Sequence, residues 1–331
     1  MSTASSPPVC KTTFPLNNGR HIPAVGLGTW QGQFGTDESE AVKSSIIHAI
    51  KNGYRLIDTA QYYGIESVVG DAIRECGVPR SEITVVTKIW GNWFHDPVAA
   101  FERSFRDLNI EYIDILLMHW PCTMTPEEQP QPYPGSPPYW EVWKVFETLV
   151  GDRVKAIGVS NFTQKTLESL LEGAKITPVV NEVELHALNP CLKLVPYCLE
   201  KGIRVISWST MGSERFETGK NPILTEELFV NLAKKSGCSP GVLALSWAVQ
   251  RGITVIPKSS KPHRIEENIK LVTLDDEGME IMNAAHEKLG RLCLCFDIIE
   301  GIQYKVDGKV TVLGWSKEDF GWVDENGTWL T

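Results

Sequence analysis

Four residues with proton-transfer side chains follow runs that read as buried β-strands. The runs are YRLIDTA (54–60), ITVVTKIW (83–90) and DILLMHW (114–120), and the four residues at or just past their ends are Asp58, Tyr63, Lys88 and His119. In a barrel of parallel strands, the carboxyl ends of all the strands open onto one face, where active sites are built. An acid, a phenol, an amine and an imidazole on that face predict a proton-transfer site.

These four side chains suit the protonation of a carbonyl oxygen, or the reverse reaction. A free tyrosine titrates near pH ~10, and a nearby ammonium lowers that value by stabilising the phenolate. Lys88 is the candidate ammonium for Tyr63, and Asp58 would hold Lys88 charged in a partly buried site. His119 would orient or polarise a substrate oxygen. Each residue taken alone is more often a helix cap or a packed core residue, but four at neighbouring strand ends favour catalysis.

Aromatic residues share the same strand ends. Trp30, Trp90 and Trp120 each close or follow a strand-like run, and Tyr62 precedes the candidate proton donor. A packed aromatic core would also explain this pattern. On an open barrel face, however, aromatic side chains more often form the walls of a substrate pocket.

The elements that must position these residues alternate between strand-like and helix-like runs. Eight apolar runs read as strands: 24–30, 54–60, 83–90, 114–120, 154–161, 179–185, 204–209 and 254–259. Amphipathic stretches such as 37–53 and 95–108 lie between them. Eight βα units predict an α/β fold, a closed (β/α)₈ TIM barrel. An open dinucleotide-binding sheet is disfavoured, because Gly26-Leu27-Gly28 lacks the third glycine and the helix that should follow.

Several segments lie outside this βα rhythm. Residues around Asn17-Asn18-Gly19 predict an N-terminal β-hairpin at the barrel floor. Segments 121–140 and 211–223 follow strands four and seven, so we expect long loops on the catalytic face. We expect a flexible N-terminal tail over 1–10 and a single domain over 11–331. Within it, 289–331 forms a C-terminal extension near the substrate pocket, with turns at Asp307-Gly308 and Asn326-Gly327.

Composition narrows the range of partners. The net charge of −9 argues against nucleic acid or an anionic membrane surface as the main partner. No apolar stretch approaches the ~18 residues of a membrane span. The eight cysteines are scattered, without a CxxC pair or zinc-ligand spacing. This pattern predicts reduced structural thiols in a cytoplasmic protein, and no metal site.

Polar residues at the later strand ends suit a ligand that carries an amide, a ring and a phosphate. Ser160-Asn161 and Glu182 offer hydrogen bonds to an amide, although Ser160 could instead cap the next helix. Trp208 offers a flat surface for a ring. The segment 257–270 carries four cations, Lys258, Lys261, Arg264 and Lys270, against two glutamates. It follows strand eight, where barrels commonly bind phosphate.

Four motifs resemble the signatures of the aldo-keto reductase family. They are GYRLIDTAQYYG (53–64), LLMHWP (116–121), IGVSNF (157–162) and VIPKSSKPHRIEENIK (255–270), within a match from about Lys11 to Leu274. The resemblance implies a barrel that binds NADPH in extended form, with NADH also accepted. It implies that Asp58, Tyr63, Lys88 and His119 are the catalytic tetrad, with Tyr63 as proton donor.

The family pattern also implies the cofactor and substrate contacts. Thr29, Trp30 and Asp58 would touch the cofactor; Ser160, Asn161 and Glu182 would hold its carboxamide; Trp208 would stack on the nicotinamide; Ser209, Met211 and Ser213 would contact the pyrophosphate side; Lys258, Ser259 and Arg264 would grip the 2′-phosphate; and Glu267 and Asn268 would meet the adenine. Trp30, Tyr62, Trp90, His119 and Trp120 would contact the substrate. Two residues depart from the pattern: Glu182 replaces the common Gln, and Trp208 the usual Tyr.

These expectations combine into one function. The chain is expected to be an oxidoreductase that reduces an aldehyde to the alcohol with NADPH, acting on a sugar or on a sugar acid such as D-galacturonate. We expect a monomer with a small-molecule carbonyl substrate. A sugar acid would need a cation near the pocket mouth, for which Lys261 is the candidate. The alternatives are a ketone reductase of steroids or secondary metabolites, and a non-catalytic NADPH-sensing subunit.

Overall fold

Eight short parallel strands surround the centre of the structure. A computed structural model of the chain describes residues 7–30, 39–214, 218–306 and 308–330. Ahead of the barrel, β1 (Thr13–Pro15) pairs with β2 (His21–Pro23) as an antiparallel hairpin. The barrel strands are β3 (Leu27–Gly28), β4 (Leu56–Asp58), β5 (Thr84–Ile89), β6 (Ile115–Met118), β7 (Ile157–Ser160), β8 (Val180–Glu184), β9 (Arg204–Trp208) and β10 (Thr254–Val255).

Helices connect and cover the strands. They are α1 (Ser39–Lys51), α2 (Glu66–Glu75), α3 (Pro97–Leu108), α4 (Tyr139–Leu149), α5 (Gln164–Leu171), α6 (Leu194–Glu200), α7 (Pro222–Thr225), α8 (Glu227–Lys235), α9 (Pro240–Gln250), α10 (Pro262–Asn268), α11 (Asp276–Leu289), α12 (Leu294–Asp297) and α13 (Lys317–Phe320). Helix α3 lies within the amphipathic stretch 95–108. Asp96 caps it by accepting a hydrogen bond from Ala99 N at 3.0 Å, which satisfies an amide that the first helical turn leaves free.

The sheet closes on itself. Its strands follow chain order from β3 to β10, and neighbouring strands are parallel. The first and last strands are joined by hydrogen bonds from Gly26 N to Val255 O at 2.8 Å and from Val255 N to Ala24 O at 2.9 Å. The predicted (β/α)₈ TIM barrel is therefore confirmed, although the two strands at the closure are shorter than the sequence runs suggest.

The hairpin covers the barrel floor, as predicted. Apolar side chains fill the interior, including Leu56, Val86, Leu117, Val180 and Ile206. Leu16 and Ile22 of the hairpin segment pack against this interior cluster. Asn17 Nδ2 donates to Pro178 O at 2.9 Å, just before β8 begins. Apolar side chains of the hairpin segment thus cover the bottom of the barrel interior.

The C-terminal extension (289–331) attaches to the catalytic face. Its strands β11 (Gln303–Val306) and β12 (Lys309–Val312) form an antiparallel hairpin; Asp307 lies outside the described residues. Thr163, which follows β7, donates from Oγ1 to Phe320 O. Trp120, which follows β6, packs edge-on against Phe320 with ring centroids 5.8 Å apart. These contacts place the extension over the carboxyl ends of the middle strands.

Other features bear on the predicted class of protein. Residues 1–6 lie outside the described residues, and Cys10 donates its N–H to Ile269 O at 2.8 Å.

All eight cysteines are free thiols. Within the described ranges, no helix has the length and apolar character needed to cross a membrane. The same ranges contain no group of three or more His, Cys, Asp or Glu side chains placed to hold a metal ion.

Candidate active site

The candidate residues form the uppermost layer of the barrel interior. Side chains alternate between the two faces of a strand. Val86 of β5 belongs to the interior cluster, so Lys88, two residues later, also points inward. The same step places Asp58 after Leu56, His119 after Leu117, Glu182 after Val180 and Trp208 after Ile206. Because side chains alternate along each strand, the last inward-facing residue of each of these strands lies in a common site.

Lys88 is held by two carboxylates. Its Nζ lies 2.8 Å from Asp58 Oδ1 and 2.6 Å from Oδ2, and 3.2 Å from Glu182 Oε1. It also donates to Thr59 O at 3.0 Å. Lys88 is fully buried, and Asp58 and Glu182 are each 2% exposed. Burial opposes the charge on Lys88, but the attraction of Asp58 and Glu182 outweighs it and raises the pKa of Lys88.

Tyr63 stands beside this ion cluster in a short 3₁₀ turn after β4 (61–63). Its ring centroid lies 5.5 Å from Lys88 Nζ. Burial raises the pKa of Tyr63 above its ordinary value, and the charge of Lys88 only partly offsets this. The expected effect of Lys88 on that pKa is present, but burial of the phenol outweighs it. The charge of Asp58 opposes Lys88 further, by a smaller amount.

His119 is a neutral imidazole at ordinary pH. Burial, and then the charge of Lys88, lowers its pKa well below the usual value. Its ring packs edge-on against Trp90 at 4.9 Å and against Tyr63 at 5.8 Å between centroids. Nδ1 is buried and has no partner among the described residues. Because an N–H is costlier to bury unpaired than an acceptor nitrogen, we assign the proton to Nε2.

A cavity of about 300 Å³ opens in front of these residues. The five predicted substrate contacts all line it: Trp30, Tyr62, Trp90, His119 and Trp120. Tyr62 and Trp90 are stacked, with centroids 3.9 Å apart and ring planes at 12°. The aromatic residues thus form a wall, as the sequence predicted.

Ser160, Asn161 and Trp208 form a connected polar group on the same cavity. Trp208 Nε1 donates to Asn161 Oδ1 at 3.0 Å. Asn161 Nδ2 donates to His119 O at 2.9 Å and to Ser160 Oγ at 3.1 Å, and Ser160 Oγ donates to Glu182 O at 2.9 Å. Asn161 has φ of 64°, a backbone conformation that asparagine tolerates better than most residues. This network fixes the orientation of the amide before any ligand binds.

The predicted phosphate-side residues are less closely grouped. Thr29, Ser209, Met211 and Lys258 line the cavity. A small cleft shares Gly28, Thr29 and Lys258 with the cavity and continues to Ser259. Ser213 lies outside both linings. Arg264 and Glu267 are exposed on α10, where Asn268 is buried.

Two predicted phosphate-binding cations, Lys258 and Arg264, follow the last barrel strand. Neither side chain forms an ion pair with any of the described residues. Lys261 is exposed at the start of α10 and does not line the cavity. The structure therefore does not bring Lys261 into the cavity lining as the cation that a sugar acid would need.

The sequence did not single out several lining residues. Ile299 and Ile302 reach the cavity from the C-terminal extension. The isoleucines in the run FDIIEGI (296–302) were the sequence feature that could have indicated this contact. The sequence does not show which surface that run covers. Gly28, Thr210, Gly212, Ile256 and Pro257 also line the cavity. They lie next to predicted contacts in the sequence.

Comparisons with known proteins agree with this architecture. Residues 24–287 match the profile of the Aldo/keto reductase family. The chain is 41% identical to the D-galacturonate reductase of Hypocrea jecorina, over 82% of this chain and 89% of the relative. It is 39% identical to the glycerol 2-dehydrogenase (NADP(+)) of Saccharomyces cerevisiae, over 83% and 91% of the two chains.

A solved structure gives the same result. The crystal structure of a Bombyx mori aldo-keto reductase in complex with NADP superposes with a TM-score of 0.75 at 32% identity, over 85% of this chain and 93% of the other. The family profile spans most of the barrel, and the relatives are covered almost end to end. The chain therefore belongs to the Aldo/keto reductase family of oxidoreductases.

Proposed function

We propose that this protein reduces an aldehyde to the alcohol with NADPH. One observation carries the proposal: Tyr63, His119 and the Asp58–Lys88 ion pair converge at one end of an aromatic-walled cavity. A phenol, a neutral imidazole and a buried ammonium are the groups needed to protonate a carbonyl oxygen. The relatives named above, two of them a reductase and a dehydrogenase, support the same class of reaction.

The residues present fit NADPH. Trp208 offers a ring face beside the amide network of Ser160 and Asn161, which suits a nicotinamide and its carboxamide. The adjoining cleft leads from Thr29 to Lys258 and Ser259, so an extended molecule can run from one region to the other. Unpaired Lys258 and Arg264 suit a phosphate dianion. We propose that NADH is accepted more weakly, since it lacks the 2′-phosphate.

Each side chain of the site has a separate task in the proposed reaction. Bound NADPH supplies a hydride for the carbonyl carbon. Tyr63 gives its hydroxyl proton to the carbonyl oxygen, and its raised pKa keeps that proton in place at neutral pH. Lys88 stabilises the phenolate that remains, and Asp58 fixes Lys88 in position. His119 donates from Nε2 to the same oxygen and orients it.

We propose a sugar or sugar acid as the aldehyde. The aromatic walls suit the apolar face of a sugar ring, and the cavity volume limits the substrate to a small molecule. Lys258 is the one cation among the described lining residues, and it is assigned to the cofactor. A hexuronate would therefore keep its carboxylate at the solvent-exposed mouth. The apolar contribution of Ile299 and Ile302 favours the ketone reductase as the second candidate.

A substrate comparison tests this assignment. D-galactose and D-galacturonate differ in a hydroxymethyl group and a carboxylate, so they isolate the effect of charge. An exposed ion pair contributes up to about 1 kcal/mol. We therefore expect their kcat/KM values to lie within about tenfold of each other, measured by NADPH absorbance. A preference of more than about 100-fold for galacturonate would reveal a buried cation for its carboxylate. Faster turnover of a steroid ketone than of either sugar would favour the ketone reductase.

Cofactor selectivity tests the 2′-phosphate assignment. We expect Lys258→Ala and Arg264→Ala each to weaken NADPH binding about tenfold to 100-fold, because each removes a charged hydrogen-bond donor. NADH binding should change little, since NADH presents no phosphate there. Lys261→Ala is the control in the same segment and should leave both affinities nearly unchanged. Equal losses for NADPH and NADH, measured by fluorescence titration, would contradict the assignment.

We also infer that the protein acts as a monomer in the cytoplasm. Its own C-terminal extension supplies Ile299 and Ile302 to the cavity, which supports a site made by a single chain. The eight free thiols support a reducing compartment. The substrate is a small carbonyl compound, as the family description indicates.

A further inference from the structure

Two buried carboxyl groups share a single ammonium in the site. Asp58 places both oxygens on Lys88 Nζ, at 2.6 and 2.8 Å, while Glu182 reaches it only through Oε1 at 3.2 Å. If both carboxyls were ionised, one positive charge would face two negative charges in a site with almost no exposure to water. Like charges in such a site drive one carboxyl to keep its proton.

Of the two carboxyls, Glu182 is the one with an oxygen that has no hydrogen-bond donor. Its Oε2 is buried and accepts no hydrogen bond from any of the described residues. Two polar side chains of the same site are committed elsewhere, because Ser160 Oγ donates to the backbone oxygen of Glu182 and Asn161 Nδ2 donates to His119 O. A buried charged oxygen without a donor carries a large desolvation cost. The same oxygen carrying a hydrogen has no such charge to solvate.

Among the described residues, Lys88 is the one cation that forms an ion pair with Glu182. The strands on either side place Ser160 and Ile206 opposite it in the sheet, and neither is charged. Tyr63 and His119 are both neutral at ordinary pH. Burial, and then the charge of Asp58, raises the pKa of Glu182 well above its usual value.

We propose that Glu182 is a neutral carboxylic acid in the working enzyme, and that its O–H is a hydrogen-bond donor that positions the carboxamide of the cofactor. The second half of this proposal rests on the proposed function. It explains how glutamate can stand where the family commonly has glutamine. A protonated carboxyl resembles a carboxamide in shape and in having both a donor and an acceptor, whereas a carboxylate only accepts.

The proton on Glu182 can be observed directly in the protein without cofactor. We expect infrared difference spectra of wild type against Glu182→Gln to show the C=O stretch of a protonated carboxyl at about pH 8. Glu66 is a second buried glutamate, whose pKa burial raises to about 7. Glu66 should therefore be largely ionised at that pH and contribute little to the band of protonated carboxyls. Glu66→Gln is the matched control. Absence of the Glu182 band would overturn the proposal.

The donor role has a separate test. NADPH affinity, measured by quenching of tryptophan fluorescence, should weaken in the wild type as the pH rises and Glu182 ionises. Glu182→Gln cannot ionise, so we expect it to bind NADPH about tenfold more tightly than the wild type at alkaline pH. Parallel pH profiles for the two proteins would overturn the donor role. If the infrared band is present but neither protein binds NADPH, the proposed function fails while the protonation of Glu182 stands.

Discussion

Tyr63→Phe is expected to lower aldehyde turnover about 10²–10⁴-fold while NADPH still binds. The phenol is the group next to Lys88 that can deliver a proton, and phenylalanine keeps the ring that packs on Trp30 at 5.0 Å between centroids. Turnover would be followed by NADPH absorbance and binding by fluorescence titration. The loss should therefore appear in kcat and not in the cofactor affinity.

The neighbouring tyrosine provides the control for this experiment. Tyr62→Phe removes a hydroxyl from the same cavity but keeps the stack on Trp90. We expect it to retain most of the kcat. If Tyr63→Phe retained wild-type turnover, Tyr63 could not be the proton donor. A function unaffected by Tyr63→Phe, together with slow or absent turnover of the wild type, would support the NADPH-sensing alternative.

Lys88→Met is expected to cost about 3–5 kcal/mol of unfolding free energy at neutral pH, in addition to abolishing turnover. It leaves the Asp58 carboxylate buried without its cation, and breaking a buried ion pair has a cost of this size. Urea unfolding followed by circular dichroism would measure the change. Lys258→Met makes the same substitution at an exposed lysine and should change stability by no more than about 0.5 kcal/mol.

The cost of Lys88→Met should depend on pH in a definite direction. Without Lys88, burial is no longer offset by the ammonium, so the pKa of Asp58 in the folded state rises further above its unfolded value. The folded state then binds more protons than the unfolded state, so stability falls as the pH rises. We expect a larger loss at about pH 8 than at about pH 5. An equal loss at both values would contradict the role of Lys88 as counter-ion to Asp58.

The fold and the inward layer of the site were predictable because they depend on local pattern. Each strand run is apolar until it reaches a polar residue, and the two-residue repeat of a strand links that residue to an interior neighbour, as Lys88 is linked to Val86. Asp58 and His119 follow the same pattern. Side chains at equivalent heights in a closed barrel must meet, so the sequence alone was sufficient to group them.

The remaining features depend on contacts between distant parts of the chain. Ile299 and Ile302 reach the cavity because the C-terminal extension is held by contacts such as the Thr163–Phe320 hydrogen bond, which joins positions 157 residues apart. The net direction of the pKa shift of Tyr63 did not follow from the charge of Lys88 alone, because burial in the folded structure has the larger effect. The position of Lys261 could not be read from the sequence, because a local excess of cations does not show which of them lines a cavity.

The most direct test of the central claim is the initial rate of NADPH oxidation by the wild-type protein with glyceraldehyde, with the alcohol product quantified. We predict aldehyde-dependent oxidation with one alcohol formed for each NADPH consumed, and a slower rate with NADH. NADPH that binds tightly but is not oxidised with glyceraldehyde, a sugar, a sugar acid or a steroid ketone would contradict the account.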